Sequence, residues 1–501
     1  MRLIHCTVVV ATAMLGSATA AASAEMPAPA MHQSAKADPR FAIVRAAIAK
    51  VLEDPKIPSV AVAVVKDGQI IWEEGFGWAD REKQVAATAH TAYSLASMTK
   101  PITATAAMKL QEAGKLDIDS PIERYLSGTK LTGYAGSTDA VTARRIMSHS
   151  AGLPKYGHFY LDGSTPAGSS ETISRFGMVV FPPNTRFEYS NIGMKILDAA
   201  IEKVSGLSYG QYLDREIFSP LGMKDSALGL PQGTAAAVRY DDLGKPMRFY
   251  LTDHPGSGDV WSSAHDVARF LAFHLGTPLP GQEPVLSRAT VEAMQRPAGA
   301  ITVSFPGEPP RKMGANWILD RLNGHPQVWH PGGQPGVSTF MALYPDQKLA
   351  MVVLANGSAD LSPVSGAIRK AVAPALVEAE AEAAPPVARP VPLRGRWSGT
   401  AVNYAGQQAI SLTFGEAGTV FAELGGQPRT TLTNAAFTNG TLSGRFTARS
   451  NLPETRGEPI QLAIDVVAAG KDLVGQLVAR KMDDSVVFTL PSFVRLTPAP
   501  D

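Results

Sequence analysis

Between Ala371 and Pro392 the 501-residue chain is dominated by Ala, Glu and Pro, with Pro385-Pro386, Pro390 and Pro392 at its end. Such a run reads as a semi-rigid linker. It divides a long segment of mixed helix and strand pattern from a short one with strand pattern alone. A chain this long exceeds one ordinary domain, so two folded units are expected, at 38–370 and 393–501, with the linker at 371–392.

The chain begins with a short positive end, Met1-Arg2, and a largely apolar stretch from Leu3 to Leu15. Ala18-Thr19-Ala20 and Ala22-Ser23-Ala24 follow as small-residue cleavage patterns. Residues 1–24 read as a signal peptide, and the apolar stretch is too short to span a bilayer comfortably. The mature protein is therefore expected to be periplasmic or secreted, with no membrane span. Residues 25–37 read as a disordered lead-in. Cys6 is the one cysteine and lies in the signal, so disulfides and thiol chemistry are excluded from the mature chain. A formal net charge of +1, without basic stripe or acidic block, gives no case for nucleic acid.

In the first unit, apolar residues from Pro39 to Glu53 recur at helical spacing. Lys66-Asp67-Gly68 separates Ser59–Val65 from Gln69–Trp72 as a hairpin would. Helices are predicted over Thr99–Ala113, ending at Gly114, over Asn191–Val204, ending at Ser205-Gly206, and over Ala264–Leu275. Strand-like runs return at Thr339–Tyr344 and Leu349–Ala355. Strands at both ends with helices between predict an α+β domain, its antiparallel sheet assembled from both chain ends and flanked by helices. The second unit alternates with period two at Ile410-Leu412-Phe414 and at Ile460-Leu462-Ile464-Val466, predicting a small antiparallel barrel or sandwich.

Ser97-Met98-Thr99-Lys100 opens the first of those helices. Spacing of three places hydroxyl and amine on one helix face. The helix N-terminus favours developing negative charge, and a buried lysine loses proton affinity and can act as a base. Tyr189-Ser190-Asn191 precedes the second helix: the phenol could share a proton with Lys100, and the amide could orient substrate, while Ser190 or Asn191 could cap that helix. His330-Pro331-Gly332-Gly333 follows apolar Val328-Trp329. Its glycines permit close approach to a substrate, and the Gly333 N–H paired with that of Ser97 would form an oxyanion hole. Gly206-Leu207-Ser208-Tyr209-Gly210 fits the nucleophile pattern of α/β-hydrolases but lacks the strand-to-helix turn that pattern needs, so Ser208 reads as a helix cap. His149, His158, His254, His265 and His330 are scattered without zinc-ligand spacing, and His149 reads as a structural hydrogen-bonding residue. No metal or cofactor is called for.

Taken in order, the three motifs resemble those of the serine β-lactamase and penicillin-binding protein superfamily, in its class C β-lactamase-like branch. Met147-Ser148-His149-Ser150-Ala151-Gly152-Leu153-Pro154, Ser219-Pro220-Leu221-Gly222-Met223 and Gly256-Ser257-Gly258-Asp259-Val260-Trp261-Ser262-Ser263 extend the resemblance over roughly residues 40–370, the span of one large domain. The resemblance implies a β-lactamase/transpeptidase-like fold with a helical subdomain. It also implies catalytic Ser97, Lys100 and Tyr189, with Asn191, His330, Gly332 and Gly333 binding substrate. Leu393-Arg394-Gly395-Arg396-Trp397-Ser398-Gly399 resembles the first strand of lipocalin-like barrels appended to some members, with Trp397 as a core plug. His330 stands where β-lactamases carry lysine, and a histidine is largely neutral near pH 7. That departure favours ester, D-aminopeptidase or D,D-peptidase chemistry over penicillins. The expected partner is a small molecule or peptide, with cell wall as one source. The alternative, a non-catalytic binding or scaffold protein, would be expected to have broken at least one motif.

Overall fold

The computed structural model describes residues 38–161, 163–303, 310–377, 393–438, 440–482 and 487–499. Residues 1–24 and 25–37, read above as a signal peptide and a lead-in, and residues 378–392 of the expected linker lie outside these. Among the described residues no helix is long and apolar enough to cross a membrane.

The Asp67-Gly68 turn has both residues at positive φ, 50° and 76°, and it joins strands Ser59–Lys66 and Gln69–Asp80 as the hairpin signal predicts. Strand Leu349–Ala355 pairs with the other edge of Ser59–Lys66, with Val62 opposite Val353. The sheet continues through Val337–Tyr344, His325–Gln334, Ile318–Leu322 and Lys312–Met313, with Val85–Ala86 at its far edge. Both chain ends therefore build one eight-stranded antiparallel sheet. Successive residues of its central strands alternate between faces. Val60, Val62, Val64, Met351 and Val353 pack against Val44, Ile48, Val364 and Ile368 of helices Ala42–Val51 and Ser362–Val372. Ala61, Ala63, Val65, Ala350, Val352 and Leu354 face the opposite core with Val267, Phe270 and Leu271 of helix Ala264–Leu275. Because both faces are covered, these strands read as continuous apolar runs.

The helical part of the domain sits on that second core. Helix Thr99–Glu112 is almost wholly buried, and Gly114 follows it at φ +66°. Helix Asn191–Ser205 ends on Gly206 at φ +72°. Ser208 caps helix Tyr209–Leu213 in a capping box with Gln211, and so is no nucleophile elbow.

Two features differ from expectation. The linker begins later than Ala371: helix Ser362–Val372 runs through that position, and Leu376 is fully buried in the core beneath the sheet. Propensity alone hides this, since Ala and Glu suit a helix as well as a linker.

Beyond residue 392 the strands run in the order Thr430–Thr431, Val420–Leu424, Gly406–Phe414, Gly395–Asn403, Val487–Pro498, Asp472–Met482, Pro459–Ala469, Thr441–Arg449 and Thr433–Thr438. The two edge strands are neighbours in sequence, so the sheet curls into a nearly closed barrel around Leu412, Leu442, Leu462, Ile464 and Leu490. Trp397 is the second difference. It packs against this interior but stays half-exposed, its indole N–H donating to the Arg394 carbonyl at 3.1 Å. The barrel is joined to the larger domain by backbone pairing: Gly157–Tyr160 lies antiparallel to the start of Val487–Pro498, with His158 opposite Phe488.

Candidate active site

Ser97 lies in the 3₁₀ turn Ala96–Met98 that leads into helix Thr99–Glu112. Ala96, fully buried, is held at φ +49°. A left-handed alanine costs about 1–3 kcal/mol and persists only where the surroundings enforce it. Those surroundings are visible: the Leu95 N–H donates to the Val260 carbonyl at 2.9 Å, and the Leu95 carbonyl accepts from Thr339 Oγ1 at 2.9 Å. Residues far downstream in the chain thus fix the turn that presents Ser97.

Lys100 is completely buried, and its Nζ donates to Ser97 Oγ at 3.1 Å and to the Ser257 carbonyl at 2.9 Å. Burial without a carboxylate partner holds its pKa well below the usual lysine range. An amine of lowered proton affinity beside a serine hydroxyl is suited to act as a base. Its Nζ also lies 4.7 Å from the centroid of the Tyr189 ring. Burial raises the pKa of the Tyr189 phenol, and the nearby Ser97 offsets only part of this, so the phenol is protonated at neutral pH. Tyr189, from far along the chain, therefore joins Ser97 and Lys100 in one cluster.

Asn191 follows directly. Ser190, whose Oγ accepts from the Gly193 N–H at 3.2 Å, is the helix cap, which frees Asn191 from that duty. Asn191 Nδ2 donates to the Tyr156 carbonyl at 2.8 Å, while its Oδ1 is buried without a protein partner. His330 presents a second such acceptor. Its Nδ1 is 2.6 Å from the Pro331 carbonyl and must donate there, which leaves a bare, buried Nε2 with no partner. Burial, then the nearby Lys100, push the His330 pKa down to about 3, so the ring is neutral.

Gly332 and Gly333 play different parts. A β-carbon on Gly332 would meet Thr339 Oγ1 at 2.1 Å, the Leu95 carbonyl at 2.4 Å and Ala96 Cβ at 3.2 Å, so this strand lies directly against the turn that carries Ser97. A β-carbon on Gly333 would meet nothing within 4 Å. Gly333 opens onto a cleft of 1020 Å³ lined by residues 241–248 without Gly244, by 333–338, and by Leu161, Ser358, Met482 and Val487. Two of those residues come from the barrel.

Of the supports of this cluster, sequence reasoning found His149, as a structural hydrogen-bonding residue, and missed the rest. His149 Nδ1 accepts from the Ser190 N–H at 3.2 Å, and its ring centroid is 4.4 Å from that of Tyr189. Glu188, next to Tyr189, is 3% exposed and held by Lys155 at 3.4 Å and Arg186 at 3.0 Å. The barrel reaches into this group. Gln476, fully buried, donates to Glu188 Oε1 at 3.0 Å and accepts from the Lys155 N–H at 2.9 Å, while Asp465 pairs with Lys155 at 2.8 Å. No local pattern could have linked residues this far apart in the chain.

The β-lactamase family profile matches residues 44–374, well over half of the chain. The chain belongs to the β-lactamase family. It is 25% identical to protein flp of Staphylococcus aureus strain MW2 over 331 residues, 62% of either chain. It is 28% identical to penicillin-binding protein 4* of Bacillus subtilis strain 168 over 329 residues, covering 60% of this chain and 68% of that one. The match thus spans less than two thirds of the length of flp. An octameric penicillin-binding protein homologue from Pyrococcus abyssi shares the fold, at TM-score 0.58 and 23% identity, over 90% of this chain and 99% of that one. Family and fold thus agree with the superfamily that its three motifs resemble.

Proposed function

We propose that the protein cleaves esters or amides of small or D-aminoacyl substrates through an acyl-enzyme on Ser97. Lys100 takes the proton from Ser97 Oγ as that oxygen bonds to the substrate carbonyl carbon. The backbone N–H groups of Ser97 and Gly333 hold the resulting oxyanion. Tyr189 passes a proton to the departing oxygen or nitrogen as the carbonyl bond to it breaks. Water, deprotonated by the same cluster, then hydrolyses the acyl-enzyme and restores Ser97.

The observation that carries the substrate preference is the pair of unpartnered acceptors, Asn191 Oδ1 and His330 Nε2. A neutral His330 offers no positive charge to the carboxylate of a penicillin. Two buried acceptors instead favour a substrate that brings N–H donors, as an amide or an α-amino group does. Slow β-lactam hydrolysis is compatible with the same nucleophile as a side activity. We place the reaction in the periplasm or outside the cell, on the Met1–Ala24 pattern, where cell-wall peptides supply D-aminoacyl groups.

A panel of D- and L-aminoacyl p-nitroanilides, short-chain p-nitrophenyl esters and a penicillin tests this reading. The expected order in kcat/KM places esters and D-aminoacyl amides above the penicillin. A penicillin turned over faster than either would overturn it.

A further inference from the structure

Three side chains from separate segments converge on the surface, outside the cleft. Glu73 lies on strand Gln69–Asp80, His90 follows Val85–Ala86, and His265 is the second residue of helix Ala264–Leu275. His265 Nδ1 is 2.8 Å from Glu73 Oε2, and His90 Nε2 is 4.0 Å from Glu73 Oε1. One donor atom from each residue lies within 4.8 Å of the other two. The two imidazole rings are 4.5 Å apart, and the His265 N–H donates to the Ala89 carbonyl at 3.1 Å, fixing the segments to one another.

We propose that Glu73, His90 and His265 bind one divalent transition-metal ion of the zinc type. Two imidazoles and a carboxylate suit zinc, whereas magnesium and calcium prefer oxygen donors throughout. Tetrahedral zinc with bonds of ordinary length sets its donor atoms about 3.4 Å apart. The separations of 2.8 Å to Oε2 and 4.0 Å to Oε1 of Glu73 lie on either side of that value, and single donor atoms of the three residues all lie within 4.8 Å, so side-chain rotations that draw them together close the site.

Asp225 supplies the outer support. Its Oδ2 is 2.9 Å from His90 Nδ1 and also accepts from Ser263 Oγ at 3.0 Å. A carboxylate on Nδ1 selects the tautomer whose Nε2 is bare and faces Glu73, the arrangement by which proteins orient metal-binding histidines. All three ligands are partly open to solvent, with side-chain exposures of 28%, 57% and 25%, so an ion can enter and a water can complete its coordination. The bound ion would tie the start of helix Ala264–Leu275 to the sheet and to the segment leading toward Ser97. In a mature chain without cysteine it would act as a cross-link. Local spacing could not announce the site, because no two ligands share a segment.

The test uses the full chain, stripped with chelator and then titrated with zinc chloride, read by native mass spectrometry and isothermal titration calorimetry. One zinc per chain is expected. His90→Ala and His265→Ala should each abolish stoichiometric uptake, and Asp225→Asn should weaken binding about tenfold. Glu73→Gln keeps an acceptor for His265 and so guards against misfolding as the explanation; it too should lose the ion. Circular dichroism and ester hydrolysis, which use none of these side chains, report that each variant is folded. No stoichiometric uptake by the native chain, or uptake undiminished in both histidine variants, would overturn the proposal.

Discussion

Replacing Gly332 by alanine tests whether the strand bearing His330 must touch the Ser97 turn. The added methyl would lie 2.4 Å from the Leu95 carbonyl and 2.1 Å from Thr339 Oγ1, where ordinary contact begins near 3.4 Å. Thr339 cannot simply rotate away, because its hydroxyl is bonded to the same Leu95 carbonyl at 2.9 Å. The strand must therefore withdraw by about 1 Å, a misplacement that costs about 100-fold in rate when it separates catalytic groups. The overpacking itself costs about 1–3 kcal/mol of stability. Gly333→Ala, one residue along, meets nothing within 4 Å and leaves the strand in place. Steady-state hydrolysis of a p-nitrophenyl ester, with circular dichroism to confirm folding, measures both variants. The expected result is a fall in kcat of about 100-fold for Gly332→Ala, with at least tenfold less damage from Gly333→Ala. Equal activity in the two variants, or a Gly332→Ala enzyme as fast as the parent, would refute the argument that close packing sets the oxyanion geometry.

Gln476→Leu should lower kcat and destabilise the chain by about 2–4 kcal/mol, since it removes a charge-assisted bond to Glu188 and orphans the Lys155 N–H; denaturant titration and ester kinetics read the two effects. If Lys100 must be neutral to act, kcat/KM rises with pH through the lowered lysine pKa and levels off well below the usual lysine range. Between those two values the unfolded chain binds a proton that the native chain does not, so stability also rises with pH there, and Lys100→Met removes that slope along with activity. His330→Lys should tighten the binding of a carboxylate-bearing penicillin about tenfold or more, measured as the half-saturating concentration for Ser97 acylation.

The chemistry was legible where it was local. Ser97 and Lys100 share one turn of helix, so their spacing alone predicts the 3.1 Å contact that the structure contains. The Asp67-Gly68 hairpin and the glycine after Ser205 were legible for the same reason: a left-handed residue is written in the sequence as glycine or its few substitutes. Tyr189 and His330 were placed by resemblance, not by pattern, since nothing in residue spacing says that segments so far apart meet. The supports other than His149 were invisible. Gln476 reads as a polar residue in an alternating strand, yet its amide is buried against Glu188. Gly157–Tyr160 is too short to read as a strand, and its partner lies more than three hundred residues away. The linker was overextended because an Ala-rich helix end and an Ala-rich linker share a composition.

Covalent labelling of the purified protein tests the central claim most directly. Intact-mass spectrometry follows incubation with a fluorophosphonate, a penicillin or a p-nitrophenyl ester, alongside Ser97→Ala. The account predicts a single fluorophosphonate adduct that maps to Ser97, none in Ser97→Ala, and ester turnover without accumulation. An adduct on another serine, or undiminished labelling and turnover in Ser97→Ala, would contradict it.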